Sequence, residues 1–146
     1  MHHNATKPLA KALKKQAKKV LLIHDLNLQR GQLKKWLTSC NILIDLTGIE
    51  QISFEANNWI TFLQTVIEEK RTQGISLLFI TQGLEIFKNE TTQIAGADKV
   101  GLYRMLQSEY SAITSRHVDL DATAQDIKKQ ASLILREAIC QSQEVE

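Results

Sequence analysis

Four stretches of strand length stand out from a background of helical periodicity. Lys19 to Asp25 (KVLLIHD), Asn41 to Gly48 (NILIDLTG) and Ile75 to Ile80 are near-continuous apolar runs. Runs of this kind suit strands buried on both faces. The third closes at Thr81-Gln82-Gly83, a turn signal. Ser115 to Leu120 instead alternates, with Arg116, Val118 and Leu120 on one side and Ser115, His117 and Asp119 on the other. That pattern belongs to a half-exposed strand nearer a sheet edge.

Between these runs, apolar residues recur at intervals of three and four. Pro8 suits the first turn of a short, loosely docked helix whose narrow stripe is Leu9, Leu13 and Ala17. Asn27 to Thr38 predicts a helix with Leu33, Trp36 and Leu37 on one side. Ala56 to Thr72 predicts a longer one, with Trp59, Phe62, Leu63, Val66 and Ile67 facing the core and Glu68, Glu69, Lys70 and Arg71 in water. Gly74 is its C-terminal cap. A helix from Gly96 or Ala97 to Tyr110 carries Val100, Tyr103, Leu106 and Tyr110 on one stripe. The last helix has Thr123 and Asp126 as a capping pair and Ile127, Ala131, Ile134, Leu135, Ala138 and Ile139 as its apolar face. Strand and helix thus alternate about four times. The expected fold is α/β: a small, truncated Rossmann-like parallel sheet of about four strands with helices on both faces.

A chain of 146 residues with 43% apolar and 23% charged residues fits one ordinary globular domain. Residues 20–141 are expected to form it, with residues 1–19 as a lysine-rich leader or short helix and 142–146 as a polar tail. The net charge of +2 is unevenly spread: residues 1–19 hold six lysines (Lys7, Lys11, Lys14, Lys15, Lys18, Lys19) and no acid. Setting these six aside leaves 12 basic against 16 acidic residues. A basic arm can serve a nucleic acid or an acidic partner. This one lacks the neighbouring arginines and stacking aromatics of nucleic-acid binders and reads as a solvated leader. Cys40 and Cys140 match no metal spacing and read as small buried hydrophobes of a reducing compartment. No apolar run reaches the ~18 residues that span a bilayer, and the lysine-rich start lacks the apolar core of a signal peptide. A cytoplasmic protein is expected. His2 and His3 have the form of a tag remnant and are left out of metal reasoning.

In parallel sheets, ligands gather beyond the carboxyl ends of the strands. Those ends carry His24 and Asp25, Asp45 and Thr47, Thr81 and Gln82, and Asp119 and Asp121. Carboxylates there can hold a metal or accept a phosphoryl group. The paired acids and the lysine of a receiver-type site are not cleanly present, however, and Asp and Thr at such places ordinarily cap turns and helices. After the first strand, IHDLNLQRG offers side chains where a phosphate loop needs glycines, and Gly31 alone cannot build one. Neither Tyr103 nor Tyr110 is followed four positions later by lysine; Gln107 and Thr114 stand there. The reductase arrangement, in which a lysine lowers the phenol's pKa, is therefore missing. His24 and His117 have no evident nucleophile to activate. No catalytic, cofactor-binding or metal-ligating residue is assigned, and no cofactor is expected.

The segment IAGADKVGLYRMLQSEYSAITSRHVDLD resembles the end of the structural subdomain of modular polyketide synthase ketoreductases. The resemblance rests on Ala97, Gly101-Leu102-Tyr103-Arg104, Glu109 and Arg116-His117-Val118-Asp119-Leu120-Asp121. Upstream, LIDLTGIE and ISLLFITQGLEIF look like strands of the same subdomain. The chain departs from the family in lacking a Pro after Glu109-Tyr110 and in its lysine-rich leader. In that family the first Rossmann-like half binds no cofactor and braces the second, which carries the NADPH loop and the active-site Tyr, Ser and Lys. The resemblance implies a noncatalytic subdomain. Its implied partner is the catalytic ketoreductase half or an adjacent synthase domain, with an acyl carrier protein as a further candidate and neither nucleic acid nor membrane. Two other readings stand beside it: a free-standing α/β enzyme or phosphoacceptor using the acidic strand ends, and a basic-arm nucleic-acid binder.

Overall fold

The computed structural model describes residues 6–16, 20–23, 29–49, 56–85, 96–123 and 125–140. In chain order the elements are α1 (Thr6–Gln16), β1 (Val20–Ile23), α2 (Arg30–Ser39), β2 (Ile42–Gly48), α3 (Ala56–Lys70), β3 (Ile75–Gln82), α4 (Ala97–Glu109), β4 (Ile113–Leu120) and α5 (Ile127–Cys140). The four strands form one parallel sheet in the order β1-β2-β3-β4. The expected α/β architecture is therefore the observed one.

The unbroken apolar runs of β2 and β3 dictate the layering. Their side chains point alternately to opposite faces, so both faces must be covered. Leu43, Leu77 and Phe79 enter one core with residues of α2, α3 and α4, while Ile44, Leu46, Leu78 and Ile80 enter the other with α1 and α5. The three crossover helices α2, α3 and α4 thus lie on one face as the sheet advances in one direction. All three crossovers share one hand, as the preference for right-handed connections requires. The helices that flank the sheet in sequence, α1 and α5, close the opposite face.

Helix α1 is integral to that second core. Leu9 and Leu13 are buried among Ile134, Leu135 and Ala138 of α5, while Lys7, Lys11, Lys14 and Lys15 face outward. The lysine-rich sequence conceals a three-residue apolar anchor, Leu9, Ala10 and Leu13, and the segment is docked rather than loosely attached. Ala17 of the expected stripe lies outside the described residues, as do His24, Asp25 and the polar tail.

Other differences have local causes. Lys70, expected in water, is buried at the end of α3, where its ammonium is felt by the Cys40 thiol. Burial pushes that thiol's pKa up and Lys70 partly counters it. Cys140, by contrast, is exposed, because the final turn of α5 also leaves Ile139 63% exposed. Asp126 caps α5 alone, its Oδ1 accepting from Lys129 N at 3.1 Å, while Thr123 bonds instead to Asp121. Gly74, with φ of 85°, ends α3 as expected by donating to Lys70 O at 2.8 Å. On the edge strand β4 only Ile113 and Leu120 are buried; the six residues between them are all half-buried, as the edge position allows, without the expected contrast between the two sides.

If α1 is part of the core, Leu13→Ala should lower the unfolding free energy by about 2–5 kcal/mol, the cost of a buried Leu truncation. Urea denaturation measures it; a leader that merely hangs on the surface would leave the midpoint unmoved.

Candidate functional site

The carboxyl end of β2 is where this sheet concentrates polar side chains in its interior. A register shift between Asp45 and Gly48 marks a bulge in β2 against β3. Within it, Thr47 N donates to Asp45 Oδ1 at 2.8 Å. The other carboxylate oxygen accepts from Tyr103 Oη at 2.5 Å, and Lys99 Nζ donates to Thr47 Oγ1 at 3.0 Å. Asp45, Thr47, Lys99 and Tyr103 are all buried. Aromatic rings enclose the group: Phe79 stacks on Tyr103 at 4.9 Å, Trp59 meets it edge-on at 5.7 Å, and Lys99 Nζ lies 5.6 Å from the Trp59 ring. The Trp59 indole N–H is buried without a hydrogen-bond partner among the described residues.

The lysine sought four positions after a tyrosine is instead four before one. Lys99 and Tyr103 share a helix face through the same spacing read backwards, a signal that was available in the sequence. The resulting electrostatics differ from those of a reductase. Burial and the Asp45 charge hold the Tyr103 phenol well above its usual pKa, while burial draws the Lys99 ammonium down against the upward pull of Asp45 and Asp98. A phenol that donates to a buried carboxylate is a poor proton donor to anything else.

The second cluster joins the ends of β3 and β4. Thr81 Oγ1 donates to Asp119 Oδ1 at 2.6 Å, and His117 Nε2 lies 2.7 Å from the same hydroxyl. Since the hydroxyl has one proton, given to Asp119, His117 must donate from Nε2. His117, expected to lack a hydroxyl neighbour, therefore has one. Thr81 is fully buried, however, and its proton points to a carboxylate, the reverse of nucleophile activation. Asp119 also accepts from Leu84 N and Glu85 N, both at 2.9 Å, so it fastens the chain leaving β3. Burial lowers the His117 pKa, with Asp119 and Glu85 pulling the other way. Asp121 makes a turn with Thr123, and Gln82 Nε2 donates to Asp121 O at 3.1 Å. The strand-end residues of β2, β3 and β4 thus bond to one another and to adjacent backbone.

Beside these clusters the described backbone packs closely. Gly96, in the left-handed region with φ of 83°, begins α4 directly over Gly48. A Cβ on Gly96 would lie 3.1 Å from Gly48 Cα and 2.9 Å from the Phe79 ring; one on Gly48 would lie 2.6 Å from Ile80 O. These glycines permit helix and strand ends to touch. The strand order, moreover, never reverses. A dinucleotide crevice forms where neighbouring crossovers depart to opposite faces, and α2, α3 and α4 all depart to one.

No protein-family model matches the chain. Over 105 residues, 70% of its length, it is 42% identical to polyketide synthase PksL of Bacillus subtilis (strain 168), and the match spans 2% of that protein. The chain is homologous to part of a polyketide synthase. The matched portion is thus a small piece of that protein. Among the described residues, no helix is long and apolar enough to cross a membrane.

Two outcomes test the site as described. Gly48→Ala should cost about 1–3 kcal/mol in urea denaturation, because the added methyl meets backbone that cannot swing aside. Tyr103→Phe should cost a similar ~1–3 kcal/mol at neutral pH by leaving a buried carboxylate oxygen unsatisfied. The raised Tyr103 pKa also sets a pH dependence: its contribution is complete below the unfolded value of about 10 and is lost as pH rises through the folded value. Stability should therefore fall more steeply above pH ~10 in the parent than in Tyr103→Phe, as followed by alkaline unfolding.

Proposed function

We propose that this chain is the noncatalytic structural subdomain of a polyketide synthase ketoreductase, bracing the catalytic half or a neighbouring synthase domain in the cytoplasm. The observation that carries the reading is that, among the described residues, the strand ends are occupied by the fold's own contacts. Where a catalytic Rossmann half offers a glycine loop and a crevice, this sheet has Gly96 seated on Gly48 and strand-end acids already bonded within the fold. The homology to part of a polyketide synthase and the ketoreductase-like segment from Ala97 to Asp121 supply the context. The engagement of both Asp45 oxygens and of Asp119 argues against a phosphoacceptor or metal role for these acids. An acyl carrier protein would be a further partner of the assembled ketoreductase, not of a site on this chain.

A brace stabilises its partner by binding the folded form. Calorimetric titration of this chain into a purified ketoreductase catalytic half should give a saturable isotherm and raise that half's Tm. NADPH titrated into the chain alone should give no heat of binding. Binding of the nucleotide, or failure of the catalytic half to bind, would overturn the proposal.

A further inference from the structure

The outer face of α4 has a composition that the chain's own fold does not explain. Opposite its buried stripe of Lys99, Val100, Tyr103 and Leu106, the helical repeat brings Asp98, Gly101, Leu102, Met105, Ser108 and Glu109 onto one exposed face. Leu102 is 38% and Met105 49% exposed, and they lie beside each other one turn apart. Gly101 sits in the middle of the helix, where glycine costs up to about 1 kcal/mol relative to alanine. Nothing among the described residues requires it, since a Cβ there would have none of their atoms within 4 Å. A glycine with open space above it, beside two exposed apolar side chains, leaves a shallow seat for another helix to approach closely.

The charges at its ends select the occupant. Asp98 precedes and Glu109 follows the apolar centre, so the seat is acidic at both ends, with the exposed Arg104 on the flank beside Gly101. Two-fold packing against a second copy fails on charge. An antiparallel pair centred between Leu102 and Met105 would bring Asp98 against the copy's Glu109, and a parallel pair would set each acid against itself. We propose that the Asp98–Glu109 face of α4 docks a helix of a neighbouring synthase domain that has an apolar centre and Lys or Arg at both ends. Apolar burial at the centre and opposite charges at the rim are what such an interface uses for affinity and register. The proposal rests on the bracing role for one choice of partner, the catalytic half, but not for the surface itself.

The test uses the full chain, two probes and substitutions confined to this face. The probes are a purified ketoreductase catalytic half and a synthetic amphipathic helix with a Leu/Ala face and Lys at each end. Met105→Glu should weaken binding of both probes about tenfold or more, whereas Leu133→Glu on α5, also exposed, should not. Gly101→Ala should raise the urea midpoint of the chain alone yet weaken both complexes, a split that a purely structural glycine would not give. Binding of the catalytic half that ignores Met105→Glu overturns the surface and leaves the bracing role intact. Docking of the synthetic helix on α4, read from amide chemical shifts and lost in Met105→Glu, with no binding of the catalytic half, removes the bracing role and keeps the surface. Self-association through α4, or two probes that both leave its amide shifts unmoved, would overturn the inference.

Discussion

Burial of β2 and β3 on both faces is the constraint from which the rest of this structure follows. Eight apolar side chains, Leu43, Ile44, Leu46, Ile75, Leu77, Leu78, Phe79 and Ile80, leave these strands with no face fit for water. At roughly 1.5–3 kcal/mol for each large apolar side chain, covering both faces outweighs the preferences of any one helix. Three crossovers of the same hand can cover only one face. The other requires helices from outside the crossover series, which is why a lysine-rich segment with only a short apolar stripe is drawn in as α1 beside α5.

That double burial also governs the polar residues. Asp45 and Thr81 are wholly buried, so each must find its partners inside the protein. Asp45 takes Tyr103 and the Thr47 backbone; Thr81 takes Asp119 and His117. The same groups that would make a strand-end site chemically interesting are thereby committed to holding α4 and the β3 exit against the sheet. Surface ion pairs such as Arg30–Glu68 and Lys34–Glu69, which link α2 to α3, contribute little by comparison.

A sheet built this way commits the described strand-end side chains to the fold itself. The strand order offers no reversal point, and the glycines at the strand ends serve contact between backbones. The exposed apolar residues of α4, Leu102 and Met105, lie on the face turned away from that core. The homology, for its part, covers 2% of the length of a polyketide synthase.

Sequence alone determined the elements and their class. Unbroken apolar runs marked β2 and β3 as interior, alternation marked β4 as an edge, and three- and four-residue spacing set the helix faces. These are properties of neighbouring residues, and periodicity reports them directly. Only the tertiary structure decided which distant residues meet. Asp45 with Tyr103 and Thr81 with Asp119 are separated by 58 and 38 positions, and their pairing depends on strand order and register. The Gly48–Gly96 contact, the burial of Lys70 and the docking of α1 depend in the same way on how layers stack. A local pattern gives the direction in which a side chain points, but the neighbour it meets there is fixed by the packing of the whole sheet.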